Sequence, residues 1–253
     1  NYESVRERVN LSGEWETTLG ACNLPGTTDE NRLGSGEHPK NVTHQLTRTH
    51  PFYGKVIYEK HITIPDNWKG KRMVLFMERT KPSTLWIDGD SIGSLGHIYA
   101  PHTYLLPELA GGRHHIKIRI DNSKDAVPKE IQGSHAWTDG TQTNWNGILG
   151  DFHIEATPHT YIKDVQAYPS VKERKTAVIL HINSSSEQNG TIKIESSSWN
   201  SARTHTIPAI KEKVELNEGE NRIEMMLDMG EDMLTWSEFH PALYRLNASL
   251  STK

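Results

Sequence analysis

The sequence predicts an all-β protein made of two β-sandwich domains. Strand-like runs recur about every 8–15 residues, and no stretch has a convincing helical period. A short linker, Thr157–Thr160, follows the longest series of strands and separates residues 1–158 from residues 159–253. The second part has about the length of an immunoglobulin-like sandwich.

Composition excludes several classes of protein. The 253 residues carry a formal net charge of -4, whereas nucleic-acid binding depends on clustered Lys and Arg. No apolar run approaches the roughly 18 residues that a membrane helix requires. Cys22 is the only cysteine, so an intrachain disulfide is excluded.

In the first domain, alternating apolar residues predict a series of short strands. Trp15 is the expected anchor of the opening strand, and Asp88-Gly89 suits the type I′ turn of a hairpin. The predicted strands are 11–16, 56–64, 73–77, the hairpin 85–92, and 116–120. Residues 20–50 and 121–143 lack apolar periodicity and predict two long surface loops.

A central stretch, residues 144–154, closes the first domain. Asn146-Gly147 predicts a turn, because glycine adopts positive φ freely and asparagine tolerates it. Ile148, Phe152 and Ile154 then predict a closing strand. In the second domain the predicted strands are 161–168, 176–182, 191–195, 222–228 and 242–250.

Aromatic and amide side chains are concentrated just before this closing strand. Flat aromatic rings pack against the C–H faces of sugars, and carboxylate and amide groups bind sugar hydroxyls. This density predicts a carbohydrate site formed by Trp137, Asp139, Gln142, Asn144, Trp145 and Asn146. The alternative is that Trp145 packs into the sandwich and the amides only shape turns.

Other constellations favour structural interpretations. Glu14 and Glu16 share one strand face about 7 Å apart, which suits some inverting glycosidases, but a solvated strand face is the favoured explanation because Trp15 then takes the buried side. His114 and His115 face opposite ways on a strand, and no spacing typical of a catalytic metal site is present, so we expect no metal and no cofactor.

One segment has part of a calcium-loop pattern. Asp121, Ser123 and Asp125 alternate as at the start of such a loop, but the glycine and the terminal glutamate are missing. A structural calcium ion is therefore a minor alternative.

Taken in order, the motifs resemble the N-terminal, non-catalytic half of glycoside hydrolase family 2, the family of β-galactosidase, β-glucuronidase and β-mannosidase. Each motif is weak alone, but together they span nearly the whole chain. They are Leu11-Ser12-Gly13-Glu14-Trp15, Leu24-Pro25-Gly26-Thr27-Thr28, Tyr53-Gly54-Lys55-Val56-Ile57-Tyr58, the stretch 64–72, Leu85-Trp86-Ile87-Asp88-Gly89, Asn144-Trp145-Asn146-Gly147-Ile148, and Trp236 with Pro241-Ala242-Leu243-Tyr244.

The resemblance implies a sugar-binding jelly-roll sandwich of the galactose-binding type, then an immunoglobulin-like sandwich, then a catalytic (β/α)8 barrel. That barrel takes roughly 250 residues by itself and is absent from this sequence. The resemblance therefore implies a chain that is inactive alone and docks on the barrel of the same polypeptide. It also implies a periplasmic or secreted protein whose signal peptide has been removed, and family members often form homo-oligomers.

Family members also contact sugar from the residue before the Val-x-Tyr strand, a position that Lys55 occupies here. Two departures leave the sugar open: Thr141 stands where an acid is usual, and Leu149-Gly150 replace the usual arginine.

Two further hypotheses stay beside this one. The expected parent enzyme is a retaining exo-glycosidase acting on β-galactosides, but the chain is alternatively a stand-alone carbohydrate-binding or adhesion module. A third hypothesis is an independent hydrolase that uses Glu14 and Glu16.

Overall fold

The structure is a computed structural model that describes residues 6–35, 48–138, 140–141 and 143–252. It confirms the all-β prediction: the described residues form strands and two 3-10 helices, Asp66–Trp68 and Lys124–Ala126, and no α-helix. The chain divides into two compact units, and the division falls between Thr157 and Pro158. Within the described residues, no helix is long and apolar enough to cross a membrane.

The described residues of the first unit form eleven strands. They are β1 (Glu7–Asn10), β2 (Gly13–Thr17), β3 (Gly20–Leu24), β4 (Gly26–Thr27), β5 (Lys55–Ile64), β6 (Arg72–Thr80), β7 (Ser83–Ile87), β8 (Asp90–Leu95), β9 (His102–Leu105), β10 (Gly112–Asp121) and β11 (Gly147–Thr157).

These strands form two antiparallel sheets that share one core. A six-stranded sheet has the order β3-β2-β5-β10-β7-β8, and a five-stranded sheet has the order β1-β11-β6-β9, with β4 also paired to β11. Alternating residues of both sheets face inward, among them Trp15 and Ile118 of the first sheet and Leu75 and Ile154 of the second. The first unit is therefore a β-sandwich.

The second unit is a smaller sandwich. Its strands are β12 (Tyr161–Ser170), β13 (Lys175–Ser184), β14 (Gln188–Ser198), β15 (Thr206–Leu216), β16 (Gly219–Asp228) and β17 (Tyr244–Thr252). They form two three-stranded sheets, β12-β13-β16 and β15-β14-β17. Val178 and Leu180 of one sheet and Ile192 and Ile194 of the other are fully buried in the core between them.

The Asp88-Gly89 hairpin is present as predicted. Both residues have positive φ, 53° and 94°, as a type I′ turn requires. The turn joins β7 to β8 in register, with Ile87 opposite Asp90.

Two sequence predictions require correction. The predicted loop 20–50 contains the strands β3 and β4, which are short and have only Cys22 and Leu24 as buried apolar side chains. Asn146-Gly147 does not form a turn between strands, because Gly147 is itself the first residue of β11 and pairs with Thr27. A Cβ atom at Gly147 would lie 2.2 Å from the Gly26 carbonyl oxygen, so close backbone approach explains this glycine.

Candidate functional site

The candidate site lies on the segment 122–146, which connects β10 to β11 and so passes from one sheet to the other. Its last part is held by a local hydrogen-bonded turn. The Thr138 carbonyl accepts from the backbone N–H groups of Thr143 and Asn144 at 3.0 and 3.3 Å. The Thr143 hydroxyl accepts from the Thr138 N–H at 3.0 Å. Asp139 and Gln142, both predicted site residues, lie outside the described residues.

A buried lysine supports this turn from below. Lys81, the residue after β6, is 3% exposed, and its ammonium nitrogen lies 4.9 Å from the ring centroid of Trp137 and 4.7 Å from that of Trp145. The ammonium also donates a hydrogen bond to the Thr143 carbonyl. The lysine thus joins two tryptophans and the backbone of one loop by cation–π contacts and a charge-assisted hydrogen bond.

The surroundings of Lys81 disfavour its charged form. Burial, and next the positive charge of Arg48, lower the pKa of Lys81 to about 8. Arg48 is itself 7% exposed, lies over the Tyr53 ring at 5.3 Å and donates to the Tyr53 hydroxyl at 3.3 Å. Two cationic side chains, Lys81 and Arg48, are therefore buried at the base of the loop.

The two predicted tryptophans have different environments. Trp137 is 3% exposed, so its ring cannot stack on a ligand in this conformation and instead packs on Lys81. Trp145 is half-buried. Of the two tryptophans, only Trp145 is therefore accessible to a ligand.

Asn146 has a structural role. It is fully buried, and its Oδ1 accepts a 2.8 Å hydrogen bond from the Tyr58 hydroxyl. Its amide nitrogen donates to the carbonyls of Gly54 and Ile120 and to Oδ1 of Asn122, at 3.1 to 3.2 Å. These bonds tie the end of the loop to both neighbouring strands, and the complete burial of Asn146 keeps it from contact with a ligand.

Asn144 differs from Asn146. It is 7% exposed, and its Oδ1 is buried without a hydrogen-bond partner among the described residues. A buried hydrogen-bond acceptor without a partner is uncommon in proteins. It has capacity for a further hydrogen bond, but in this conformation the protein encloses it.

Lys55 lies at the same end of the sandwich. It is the first residue of β5, follows Gly54 and pairs in register with Asp121, the last residue of β10 before the loop. Its side chain is 61% exposed, with the ammonium 3.9 Å from the Asp121 carboxylate. The structure therefore places Lys55, Asn144 and Trp145 near one end of the sandwich, with Asn146 and Trp137 packed beneath.

The remaining constellations are structural. Glu14 and Glu16 are exposed on the outer face of β2, Trp15 between them is buried, and Glu16 lies opposite Glu59. Asp121 uses Oδ1 to accept from the Ser123 N–H at 2.9 Å, which is an ordinary Asx turn. Within the part of the chain that the structure describes, no three His, Cys, Asp or Glu side chains are grouped as metal ligands.

Sequence reasoning missed Lys81. A lysine after a strand is exposed in most proteins, so nothing in its immediate neighbours predicts burial. The available signal was the pair of tryptophans on the loop, because tryptophan has the aromatic face that attracts a cation most strongly.

Comparison with known proteins supports the resemblance. Residues 160–253 match the family model described as Glycosyl hydrolases family 2. No curated protein matches the sequence.

Several solved structures share the fold of this chain. A calcium-binding mutant of β-glucuronidase 2 from Bacteroides uniformis is 17% identical with a TM-score of 0.68, over 98% of this chain and 31% of that protein. The β-D-mannosidase of Dictyoglomus thermophilum is 17% identical with a TM-score of 0.70, over 97% of this chain and 34% of that protein. A β-galacturonidase from Eisenbergiella tayi is 17% identical with a TM-score of 0.68, over 98% of this chain and 41% of that protein.

The chain thus spans between about a third and two fifths of the length of these proteins. These matches confirm the resemblance. The second unit matches the model of glycoside hydrolase family 2, and nearly the whole chain shares its fold with one part of each of these solved glycosidases.

Proposed function

We propose that this chain is a non-catalytic, two-domain part of a family 2 glycoside hydrolase that frames the carbohydrate site of the complete enzyme. One observation carries the proposal: the fold extends over 97–98% of this chain but over only 31–41% of the similar glycosidases. The part without a counterpart here is long enough to include a catalytic barrel of roughly 250 residues.

The two carboxylates singled out in the sequence support a non-catalytic role. Glycoside hydrolysis uses two carboxyl groups on either side of the scissile bond, one of them with a raised pKa. Glu14 and Glu16 are both exposed on β2, and Glu16 pairs with Glu59 of β5. The reacting carboxylates of the complete enzyme therefore belong to another part of the polypeptide.

The first unit contributes the wall formed by the loop that ends at Asn146. Trp145 offers a half-buried aromatic side chain and Lys55 offers an exposed cation, whereas the Asn144 Oδ1 is an unused acceptor that is buried behind the surface. The underlying Lys81 and Asn146 are fully engaged within the protein, which holds this wall in one conformation. Rigid support of this kind lowers the cost of ordering a binding surface when ligand arrives.

The substrate is proposed to be a β-glycoside. β-Galactosides follow from the resemblance of the motifs, and β-glucuronides, β-galacturonides and β-mannosides follow from the names of the similar solved proteins. We also propose, from the family resemblance, that the protein is periplasmic or secreted.

The test compares the 253-residue chain with the complete parent polypeptide on aryl β-galactoside, β-glucuronide, β-galacturonide and β-mannoside. We expect the complete protein to hydrolyse at least one of them and the isolated chain to hydrolyse none. Hydrolysis by the isolated chain that is lost in Glu14→Gln or Glu16→Gln would contradict the proposal in favour of an independent hydrolase. Glycan binding by a complete protein without any hydrolysis would contradict it in favour of a binding module.

A further inference from the structure

The second unit exposes four large apolar side chains at one end. The exposed fractions are 54% for Trp199, 63% for Trp236, 80% for Phe239 and 44% for Leu243. These residues, called here the Trp236 surface, come from the segment after β14 and from the segment between β16 and β17. Contiguous exposed apolar surface is unusual in soluble proteins and marks interaction sites.

Backbone contacts bring the two segments together. The Trp199 N–H donates to the Leu243 carbonyl at 3.1 Å, and the Leu243 N–H donates to Oδ1 of Asn200 at 2.7 Å. Trp236 forms an isolated antiparallel bridge with Pro241. Leu243 and Trp236 are thus each fixed against a defined partner.

The turn that carries Phe239 is also fixed. Ser237 and His240 exchange two backbone hydrogen bonds of 2.9 and 3.1 Å, which closes a tight turn with Phe239 inside it. At its base, the Tyr244 hydroxyl accepts from the Leu234 N–H at 2.9 Å and contacts Nδ1 of His205 at 2.6 Å. The Trp236 surface is therefore a built feature, with its side chains presented outward by a hydrogen-bonded frame.

The chemistry of the surface favours a protein partner. Tryptophan and other aromatic residues dominate the energetic centres of protein interfaces, and arginine often accompanies them. The guanidinium of Arg245 lies 5.7 Å from the Trp199 ring.

We infer that the Trp236 surface is the contact by which the second unit docks on the remaining part of its own parent polypeptide. This inference rests on the proposed function, because the similar glycosidases have more than half of their length outside the matched part. A tethered partner has a high effective concentration, so a surface of a few side chains is sufficient for stable docking. Docking would remove the four side chains from water.

Side-chain oxidation by hydroxyl radicals tests the inference, with mass spectrometry of the 253-residue chain and of the complete parent protein. In the complete protein we expect Trp236 and Phe239 to be oxidised at least about fivefold more slowly than in the isolated chain, since interface cores are closed to solvent. Tyr168 of the same unit, 55% exposed, provides the reference for general reactivity. Equal oxidation of Trp236 and Phe239 in both forms would overturn the inference.

A paired substitution gives a second measurement. Trp236→Ser with Phe239→Ser should leave the unfolding temperature of the isolated chain unchanged, because both side chains are exposed there. In the complete protein the same pair should lower the unfolding temperature by roughly 3 °C or more. Tyr168→Ser is the control in both forms, and an equal effect of the pair on both forms would contradict docking.

The failures of the two proposals can be told apart. A complete protein that hydrolyses glycosides but shows no protection of the Trp236 surface refutes the docking inference alone. Protection in a complete protein that hydrolyses no glycoside refutes the proposed function and leaves a docking surface of another kind of protein. Protection in the isolated chain that disappears on dilution shows a second copy as the occupant and overturns the inference.

Discussion

The hydroxyl of Tyr58 on β5 donates a 2.8 Å hydrogen bond to Oδ1 of Asn146, just before β11, in the interior of the first unit. Both residues are 0% exposed. This bond joins the two sheets at the point where the candidate loop returns to the sandwich. The positions of Asn144 and Trp145 therefore depend on a buried polar pair.

Replacing Tyr58 by phenylalanine tests this pair. Tyr58→Phe leaves the buried Asn146 Oδ1 without a partner, so we expect the free energy of unfolding of the first unit to fall by about 1–3 kcal/mol. Urea denaturation followed by tryptophan fluorescence measures the change. The control is Tyr168→Phe, which removes an exposed hydroxyl bonded to Gln166 and should change stability by less than about 0.5 kcal/mol. Equal effects of the two variants would show that the buried bond contributes nothing.

Gly147 is expected to be intolerant of any side chain. Its φ is 142° and an added Cβ would meet the Gly26 carbonyl oxygen at 2.2 Å, so Gly147→Ala combines backbone strain with a clash between β11 and β4. We expect a loss of about 4 kcal/mol or more in the free energy of unfolding.

Gly112→Ala is the matched control for Gly147→Ala. Its φ is 119°, but nothing lies within 4 Å of the added atom, so only the strain of about 1–3 kcal/mol applies. Urea denaturation of both variants separates the two contributions. A loss in Gly147→Ala no larger than in Gly112→Ala would contradict the close approach of β4.

Lys81 predicts a particular dependence of stability on pH. Its pKa in the folded protein is about 8, mainly because of burial, against 10.5 when the chain is unfolded. Between these values the unfolded chain binds more protons than the folded protein, so this group makes stability increase with pH. Below about pH 8 both states carry the proton and Lys81 adds no pH dependence.

The Lys81→Met variant isolates this effect, since it keeps the length of the side chain and loses the charge. The stability of the natural protein relative to Lys81→Met should rise between pH 8 and pH 10.5, by at most about 1.4 kcal/mol per pH unit. Urea denaturation of both proteins at pH 7 and pH 9.5 gives the difference. A relative stability that is the same at both pH values, or falls, would contradict a lowered pKa.

The extent to which sequence predicts this fold varies with the kind of pattern. Ile116, Ile118 and Ile120 alternate with charged residues, so β10 follows from periodicity alone. Asp88-Gly89 predicts the hairpin of β7 and β8 through local turn geometry. Strands such as β3 and β9 carry too few apolar residues to show a period, and long-range pairing rather than local preference establishes them.

The candidate site likewise has features that the local sequence predicts and features that depend on distant residues. The abundance of tryptophan and amide residues identifies the loop, because that composition is local. Which tryptophan is exposed cannot be read locally, since it depends on Lys81, more than fifty residues earlier in the sequence. Likewise, Asn144 and Asn146 are two residues apart and chemically identical, but only Asn146 meets Tyr58.

The proposed function requires that Trp145 form part of the carbohydrate site of the complete enzyme. The most direct measurement is the KM of the complete parent protein for its β-glycoside substrate, with Trp145→Ala, Trp145→Phe and the control Trp86→Ala. Trp86 is a suitable control because it is also half-buried and near cations, with Lys117 5.0 Å and Arg119 5.7 Å from its ring.

We expect Trp145→Ala to raise KM by about tenfold, which corresponds to about 1.4 kcal/mol of binding, while Trp145→Phe largely restores it and Trp86→Ala leaves it unchanged. An unchanged KM in Trp145→Ala, in a variant that folds normally, would contradict the claim.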